Sequence, residues 1–310
     1  MFVSKPNFLV VGVPKGGTSS LFNYLKQHPE IYLPEQKELH YFSFEELKKN
    51  LNGPGDKLAF SSVLRSYDAY TSLYNNIEGE SKFGDVSPSY LFFSKSVIPA
   101  IKEKLGNQVK IIISLRDPIE RSYSNFLHQK RLMHESLSFD QALQQEKKRK
   151  EKGFGDFWRY SEHSFYYEKC QAYIKAFGAE NVKIVLFEDI KERPEGLLTE
   201  LFDFLGVDKS FKAENLNVIY NKGGVYKKDG LTSFLLKPSF LKSMVLKYGG
   251  SFIAKKYKGF KQGVLERNTL EKPKIEKNTL NYLKKLFKED VQNLKTLGVD
   301  TSQWKHFADD

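Results

Sequence analysis

The sequence predicts an α/β fold: a single domain with a central parallel β-sheet flanked by helices. Short apolar runs rich in β-branched residues occur at Phe8–Val13, Val109–Leu115 and Val182–Phe187. Helical patterns separate these runs, which calls for crossover connections and parallel pairing. The runs are continuous rather than alternating, so the sheet is covered on both faces. The first run also ends in a Gly- and Ser-rich turn that opens a helix, a strand–loop–helix of P-loop-like character.

In chain order, Phe8–Val13 leads through Pro14-Lys15-Gly16-Gly17 into Thr18-Ser19-Ser20 and an amphipathic helix over Thr18–Gln27, with Leu21, Phe22 and Leu25 inward. Backbone N–H groups and a helix N-terminus then meet at one spot, an arrangement suited to phosphate or sulfate. The Walker A pattern requires Gly, four residues, then Gly-Lys-Ser/Thr. Counting from Gly12 gives Gly17 and then Thr18 where the lysine belongs, because Lys15 precedes the glycine pair. The loop therefore serves a phosphate-bearing donor other than a nucleoside triphosphate. Asn52-Gly-Pro-Gly55 marks an excursion after the first helix. Further helices are expected over Ser96–Leu105, Ile119–His128, Phe139–Lys150, Ser164–Phe177, Glu195–Leu205 and Lys277–Leu297. Residues 222–273 are rich in Lys, Gly and aromatics with little periodicity, which suits a lid, a substrate loop or an irregular insertion. No internal repeat appears, and residues 1–310 read as one domain.

Composition narrows the classes. The 310 residues are 40% hydrophobic, enough for a sizeable core. The start resembles no signal peptide and no apolar run approaches the roughly 18 residues of a membrane helix, so the expected location is cytoplasmic. Cys170 is the only cysteine, which excludes an intrachain disulfide and argues against structural zinc. The net charge of +11 admits a nucleic-acid surface, an anionic membrane surface or an enzyme with polyanionic ligands. The densest cluster, Lys147 to Lys152, reads as a solvated helix face, and no nucleic-acid-binding motif is present. The lysine-rich surface mildly favours an anionic acceptor, although solubility explains it equally.

Two further segments carry candidate chemistry. In Lys37-Glu38-Leu39-His40-Tyr41-Phe42 a carboxylate and an imidazole stand two apart. On an extended segment both face one side, so Glu38 and His40 can enter one cleft as base and helper. An exposed glutamate and a surface histidine fit that spacing as well. In Ile111 to Ser124 a strand ends, Arg116-Asp117-Pro118 turns the chain, and a helix begins. Arg116 falls at the C-terminal strand edge, where open α/β sheets bind ligands, and its planar fork suits a phosphate. Ser124 shares a helix face with Arg121. The local alternative pairs Arg116 with Asp117 or Glu120 while Asp117 caps the helix. Trp158 and Trp304 read as packing anchors, His28 as part of a helix end, Tyr166 as core or site. His128 and His134 are candidates to line the cleft, with the fold needed to place them.

Lys15-Gly-Gly-Thr-Ser-Ser20, Lys37-Glu-Leu-His-Tyr-Phe42, Asp85-Val-Ser-Pro-Ser-Tyr90 and Arg116-Asp-Pro-x-x-Arg-x-x-Ser124 occur in this order. The set resembles the sulfotransferases that use 3′-phosphoadenosine 5′-phosphosulfate (PAPS), and within them the branch of the heparan sulfate enzymes and bacterial relatives. The resemblance runs on through Glu188-Asp-Ile, Phe202 to Gly206 and the terminal stretch from Lys272-Pro-Lys-Ile to Asp300-Thr-Ser-Gln-Trp304. It implies that Lys15, Gly16, Gly17, Thr18, Ser19 and Ser20 hold the 5′-phosphosulfate, and that Lys15 steadies the oxygen linking phosphate to sulfur. It implies that Arg116 and Ser124 grip the 3′-phosphate, that Glu38 is the general base, and that His40 is next in rank for that role. No metal is implied.

The chain also departs from that branch. Val86 stands where those enzymes carry a lysine, their disulfide is impossible here, and their Lys-Gly-Arg loop has no clean counterpart. Tyr257-Lys-Gly259 and Arg267-Asn268 are rival alignments for it. The expected function is in-line sulfuryl transfer from PAPS to an acceptor hydroxyl or amine. The acceptor could be a glycan, a lipid headgroup or a small molecule, with no nucleic-acid partner. Alternatives are a P-loop-like nucleotide kinase and a non-catalytic polyanion-binding protein.

Overall fold

The computed structural model describes residues 5–75, 77, 79–216, 225–226, 232, 256, 259, 263–265 and 267–308. Five parallel strands form the sheet: β1 Phe8–Val10, β2 Ile31–Tyr32, β3 Lys82–Val86, β4 Lys110–Leu115 and β5 Val182–Leu186, in the order β2-β3-β1-β4-β5. Leu9 lies opposite both Asp85 and Ile111. The α/β expectation holds.

The apolar runs are continuous because both sheet faces are buried. Leu9, Ile111 and Ile113 join one core cluster, while Phe8, Val10 and Ile112 join the other. The first is covered by helices Ser94–Leu105, Pro118–Arg131, Tyr167–Phe177 and Lys277–Lys295, the second by Thr18–Leu25 and Pro194–Leu205. Cys170 and Trp304 are fully buried in the first, as expected. Gly12 is required by this packing, since a Cβ there would lie 2.4 Å from the Ser114 backbone nitrogen.

Several expectations need correction. Strands β2 and β3 carry no clear apolar signal and lay outside the predicted set. The Phe139–Lys150 helix is two, Phe139–Gln144 and Glu146–Glu151, separated at Gln145 where Glu146 turns inward to accept from the Ser161 N–H at 2.7 Å. The Ser164–Phe177 helix starts at Tyr167, because Asp290 accepts from the N–H groups of Tyr166 and Tyr167 at 2.8 and 3.1 Å. Ser164 is held instead by the Arg121 guanidinium at 2.7 Å. Most of 222–273, including Tyr257 and Lys258, lies outside the described residues. Within it, Val225–Tyr226 pairs antiparallel with Thr269–Leu270. Among the described residues no helix is long and apolar enough to cross a membrane.

Candidate active site

The residues that follow β1, β3, β4 and β5 converge on one cleft of 920 Å³ at the C-terminal edge of the sheet. Pro14, Lys15, Gly17 to Ser20, Pro88 and Ser89, Arg116, and Phe187 all line it. This is the edge at which parallel sheets present ligand sites.

The glycine-rich loop is shaped by its neighbours. Lys15 has φ 70° and Gly17 φ 93°, so the chain turns through left-handed geometry before the Thr18–Leu25 helix. The Ser114 hydroxyl donates to the Gly16 carbonyl and the Arg116 guanidinium to the Lys15 carbonyl at 3.2 Å, tying the loop to β4. The hydroxyls of Thr18, Ser20 and Ser124 face this cleft and find no partner among the described residues.

Cations crowd this end. Burial, followed by the Arg131 and Arg116 guanidiniums, pulls the Lys15 ammonium down to about 7. Among the described residues no carboxylate lies within ion-pair distance of its Nζ. A charged group in this position is stabilised by a bound anion. Arg116 stacks on Phe187, 4.3 Å from the ring centre, and lies 3.6 Å from Glu120. Asp117 caps the following helix, accepting from the N–H groups of Ile119 and Glu120. Both local alternatives for this segment are therefore present, and Arg116 still reaches the cleft. Arg121 does not: it is fully buried and donates to Ser164, to Asn125 and to the Tyr160 carbonyl.

Glu38 and His40 do meet in the cleft, but not on an extended segment. Their φ values are 61° and 54°, because the Glu38 N–H donates to the Val86 carbonyl and the His40 N–H to Ser87 Oγ. The ring nitrogen Nε2 of His40 lies 3.8 Å from Glu38 Oε2, and Nδ1 lies 2.6 Å from Ser89 Oγ. Lys37 donates to Glu38 Oε1 at 2.6 Å and to Ser19 Oγ at 3.0 Å, joining the carboxylate to the loop. Burial pushes the Glu38 carboxyl up, but the His40 hydrogen bond and the Lys37 ammonium outweigh it and hold the group well below the usual carboxylate range. Val86 is core, which accounts for the missing cation at that position.

Ser124, an expected site residue, lines the cleft, and His128 and Arg131 follow it at helical spacing on one face of Pro118–Arg131. Sequence reasoning missed Arg131, which that periodicity could have found. His134 lines it too. Burial and then Lys15 and Arg131 pull His128 down to about 3, so its imidazole is neutral. Lys272, in the terminal stretch over which the resemblance runs, lines the cleft and bonds to Glu120. Tyr166 and Trp158 are core residues: the Tyr166 hydroxyl donates to the Arg116 carbonyl at 2.9 Å and the Trp158 indole to Asp56 at 3.0 Å. Among the described residues no group of three or more His, Cys, Asp or Glu is placed to hold a metal ion.

This geometry can bind a phosphate-bearing donor at the loop and expose it to a carboxylate and an imidazole. The model of the sulfotransferase domain matches residues 5–223. The crystal structure of a sulfotransferase from Alicyclobacillus acidocaldarius is 29% identical, with a TM-score of 0.76 over 98% of this chain and 100% of that one. The membrane-associated sulfotransferase kil1 of Dictyostelium discoideum is 23% identical over 293 residues, covering 68% of this chain and 59% of that protein. The human heparan sulfate glucosamine 3-O-sulfotransferase 3B1 is 25% identical over 214 residues, covering 66% and 47%. The chain thus spans about half the length of these curated relatives. The chain belongs to the sulfotransferase domain family.

Proposed function

We propose that the protein moves a sulfuryl group from PAPS to an acceptor hydroxyl or amine, with Glu38 as general base and Lys15 at the leaving phosphate. The observation that carries this reading is the Lys15 ammonium. It is crowded by Arg116 and Arg131, lacks a carboxylate partner among the described residues, and shares one cleft with Glu38 and His40. In this reading the donor supplies the sulfuryl group and departs as 3′,5′-adenosine bisphosphate.

The roles follow from the chemistry. The amides and hydroxyls of Gly16 to Ser20 would hold the 5′-phosphosulfate, and Arg116 with Ser124 the 3′-phosphate. Lys15 offers a preorganised charge where negative charge grows on the leaving oxygen, a contribution of about 10²–10³ in rate for one such donor. Glu38 accepts the acceptor proton as the new S–O bond forms and the old one to the phosphate breaks. In the free protein Lys37 bridges Glu38 and Ser19. An anion on the loop competes for that ammonium, and its departure from Glu38 would raise the basicity of the carboxylate. His40 orients Glu38 and is next to receive the proton.

The test is release of 3′,5′-adenosine bisphosphate from PAPS by the wild type and by Glu38→Gln. The variant is expected to bind the bisphosphate as tightly as wild type and to lose turnover by about 10²–10⁴. Undiminished turnover in Glu38→Gln would remove the base role from Glu38 and transfer it to His40.

A further inference from the structure

The Asp85 to Tyr90 segment runs beside Glu38 to Phe42 and meets it at every second backbone N–H. The Val86 carbonyl accepts from Glu38 at 3.2 Å, Ser87 Oγ from His40 at 3.0 Å and the Tyr90 hydroxyl from Phe42 at 3.3 Å. Ser87 and Tyr90 can accept there because their own protons go to Asp85, at 2.6 and 2.7 Å. The Tyr70 hydroxyl is a third donor to this buried carboxylate, at 3.0 Å. The template holds Glu38 and His40 at positive φ, a conformation that residues other than glycine keep only where the surroundings enforce it.

The same segment reaches the imidazole. His40 Nδ1 lies 2.6 Å from Ser89 Oγ, Ser89 Oγ lies 2.7 Å from Ser43 Oγ, and Ser43 Oγ lies 3.1 Å from the His40 carbonyl oxygen. The four groups close a ring in which each hydroxyl has one proton to donate. A carbonyl only accepts, so the Ser43 proton goes to His40 O. Ser89 must then donate to Ser43, and the bond from the imidazole to Ser89 needs a proton on Nδ1. This direction satisfies all three contacts. The reverse direction gives up the Ser43 bond to the carbonyl. It also places an Nε2 proton donor 3.8 Å from Glu38 Oε2, beyond hydrogen-bond reach. Ser43 and Ser89 are both buried, which keeps solvent from replacing either of them.

We infer that Ser89 and Ser43 are positioning residues that hold neutral His40 with its proton on Nδ1, leaving the Nε2 lone pair toward Glu38 Oε2 to take the proton that Glu38 removes. The role rests on the reading above, in which Glu38 is the base. Lys37 engages Glu38 Oε1, so Oε2 is the oxygen left for the relay. The acceptor hydroxyl gives its proton to Glu38 as its oxygen bonds to sulfur. The bond from sulfur to the donor phosphate breaks, and its electron pair leaves with the phosphate. Glu38 then passes the proton to Nε2 across a gap that must close to about 3 Å, as catalytic contacts of unliganded sites commonly do on binding. The imidazolium so formed donates back to Glu38, which is the His40 hydrogen bond that lowers that carboxyl. The His40 side chain is 17% exposed, so solvent can remove the proton afterwards. Which ring nitrogen is basic is set by the bond the other one makes.

The test is nitrogen NMR of the full chain labelled with ¹⁵N-histidine, with the His40 signals identified by their loss in His40→Gln. Glu38, Lys37, Asp85 and Asp156 are the charged groups that act on this pair. As pH is raised to about 9, the nitrogen expected to lose its proton is Nε2, while Nδ1 keeps its own. In Ser89→Ala the Nδ1 preference is expected to disappear. Turnover of PAPS should then fall by about tenfold or more in kcat, with affinity for 3′,5′-adenosine bisphosphate unchanged. Bisphosphate binding reports that the variant is folded. A proton that stays on Nε2 alone, or a ring that keeps both protons to about pH 9, would overturn the inference. So would a Ser89→Ala protein with the wild-type tautomer or the wild-type kcat. The wild-type ring measurement requires no donor. Failure of the bisphosphate to bind wild type would therefore count against the donor reading and leave the tautomer to be decided by the spectrum.

Discussion

Lys15 illustrates how a single residue joins fold to chemistry. Its positive φ places it before the glycine pair, its carbonyl is fixed by Arg116, and its ammonium is left among other cations. Its ordinary value of 10.5 falls to about 7 through burial first and the two guanidiniums second. Anion binding restores the protonated form, so the bound value exceeds the free one and binding takes up a proton between the two. Affinity for 3′,5′-adenosine bisphosphate is therefore expected to fall as pH rises above about 7. Titration at pH 8 in buffers of different ionisation enthalpy should report net proton uptake, lost in Lys15→Met. Uptake that persists in Lys15→Met would contradict this account of the residue. Lys37 stood in the motif from the start, yet its role was not legible. Only the fold brings Ser19 within 3.0 Å of its Nζ.

Elements show where sequence patterns succeed and where they stop. The strands β1, β4 and β5 were readable because a two-sided burial requires an unbroken apolar run. Strand β2 is two residues long, and β3 reads Lys-Phe-Gly-Asp-Val, which propensity alone assigns to a turn. Its Asp85 is tolerated because Ser87 Oγ donates at 2.6 Å and the Tyr90 and Tyr70 hydroxyls at 2.7 and 3.0 Å. The bends at Glu38 and His40 were equally invisible, since they come from hydrogen bonds to Val86 and Ser87, distant in sequence.

Two predictions belong to this scale. Asp56 ties the 53–56 turn to Gly155 and Trp158. Asp56→Ala leaves those donors without an acceptor, so a loss of about 3 kcal/mol in urea unfolding is expected, with a raised acceptor KM. Glu146, buried behind Ser161, has its carboxyl pushed up to about 7 by burial. A raised folded value means the folded state holds the proton through the window between 4.5 and about 7, and stability falls as pH rises across it. Glu146→Gln should therefore stabilise the fold at pH 8, by on the order of 2 kcal/mol, and much less at pH 4.5. Thermal unfolding of both proteins at the two pH values checks this. An equal effect at both would remove the carboxyl as its cause.

For the molecule as a whole, the parallel sheet delivers four strand ends to one edge, and each contributes a different part of the cleft. β1 gives the loop, β3 the Ser87–Ser89 support for His40, β4 gives Arg116, and β5 the Phe187 face on which Arg116 rests. Motif order made the loop end of the cleft legible, because those residues lie within a few positions of strand ends. The far half of the cleft was not legible, because it is assembled from residues within 47–63, 127–134 and 155–157, which no single pattern links. The most direct test of the whole account is isothermal titration with 3′,5′-adenosine bisphosphate, with ATP as the control. We expect micromolar or tighter binding, preferred over ATP, and weakened by about one to two decades in Arg116→Ala. Preference for ATP, or affinity unchanged in Arg116→Ala, would contradict the placement of the donor in this cleft.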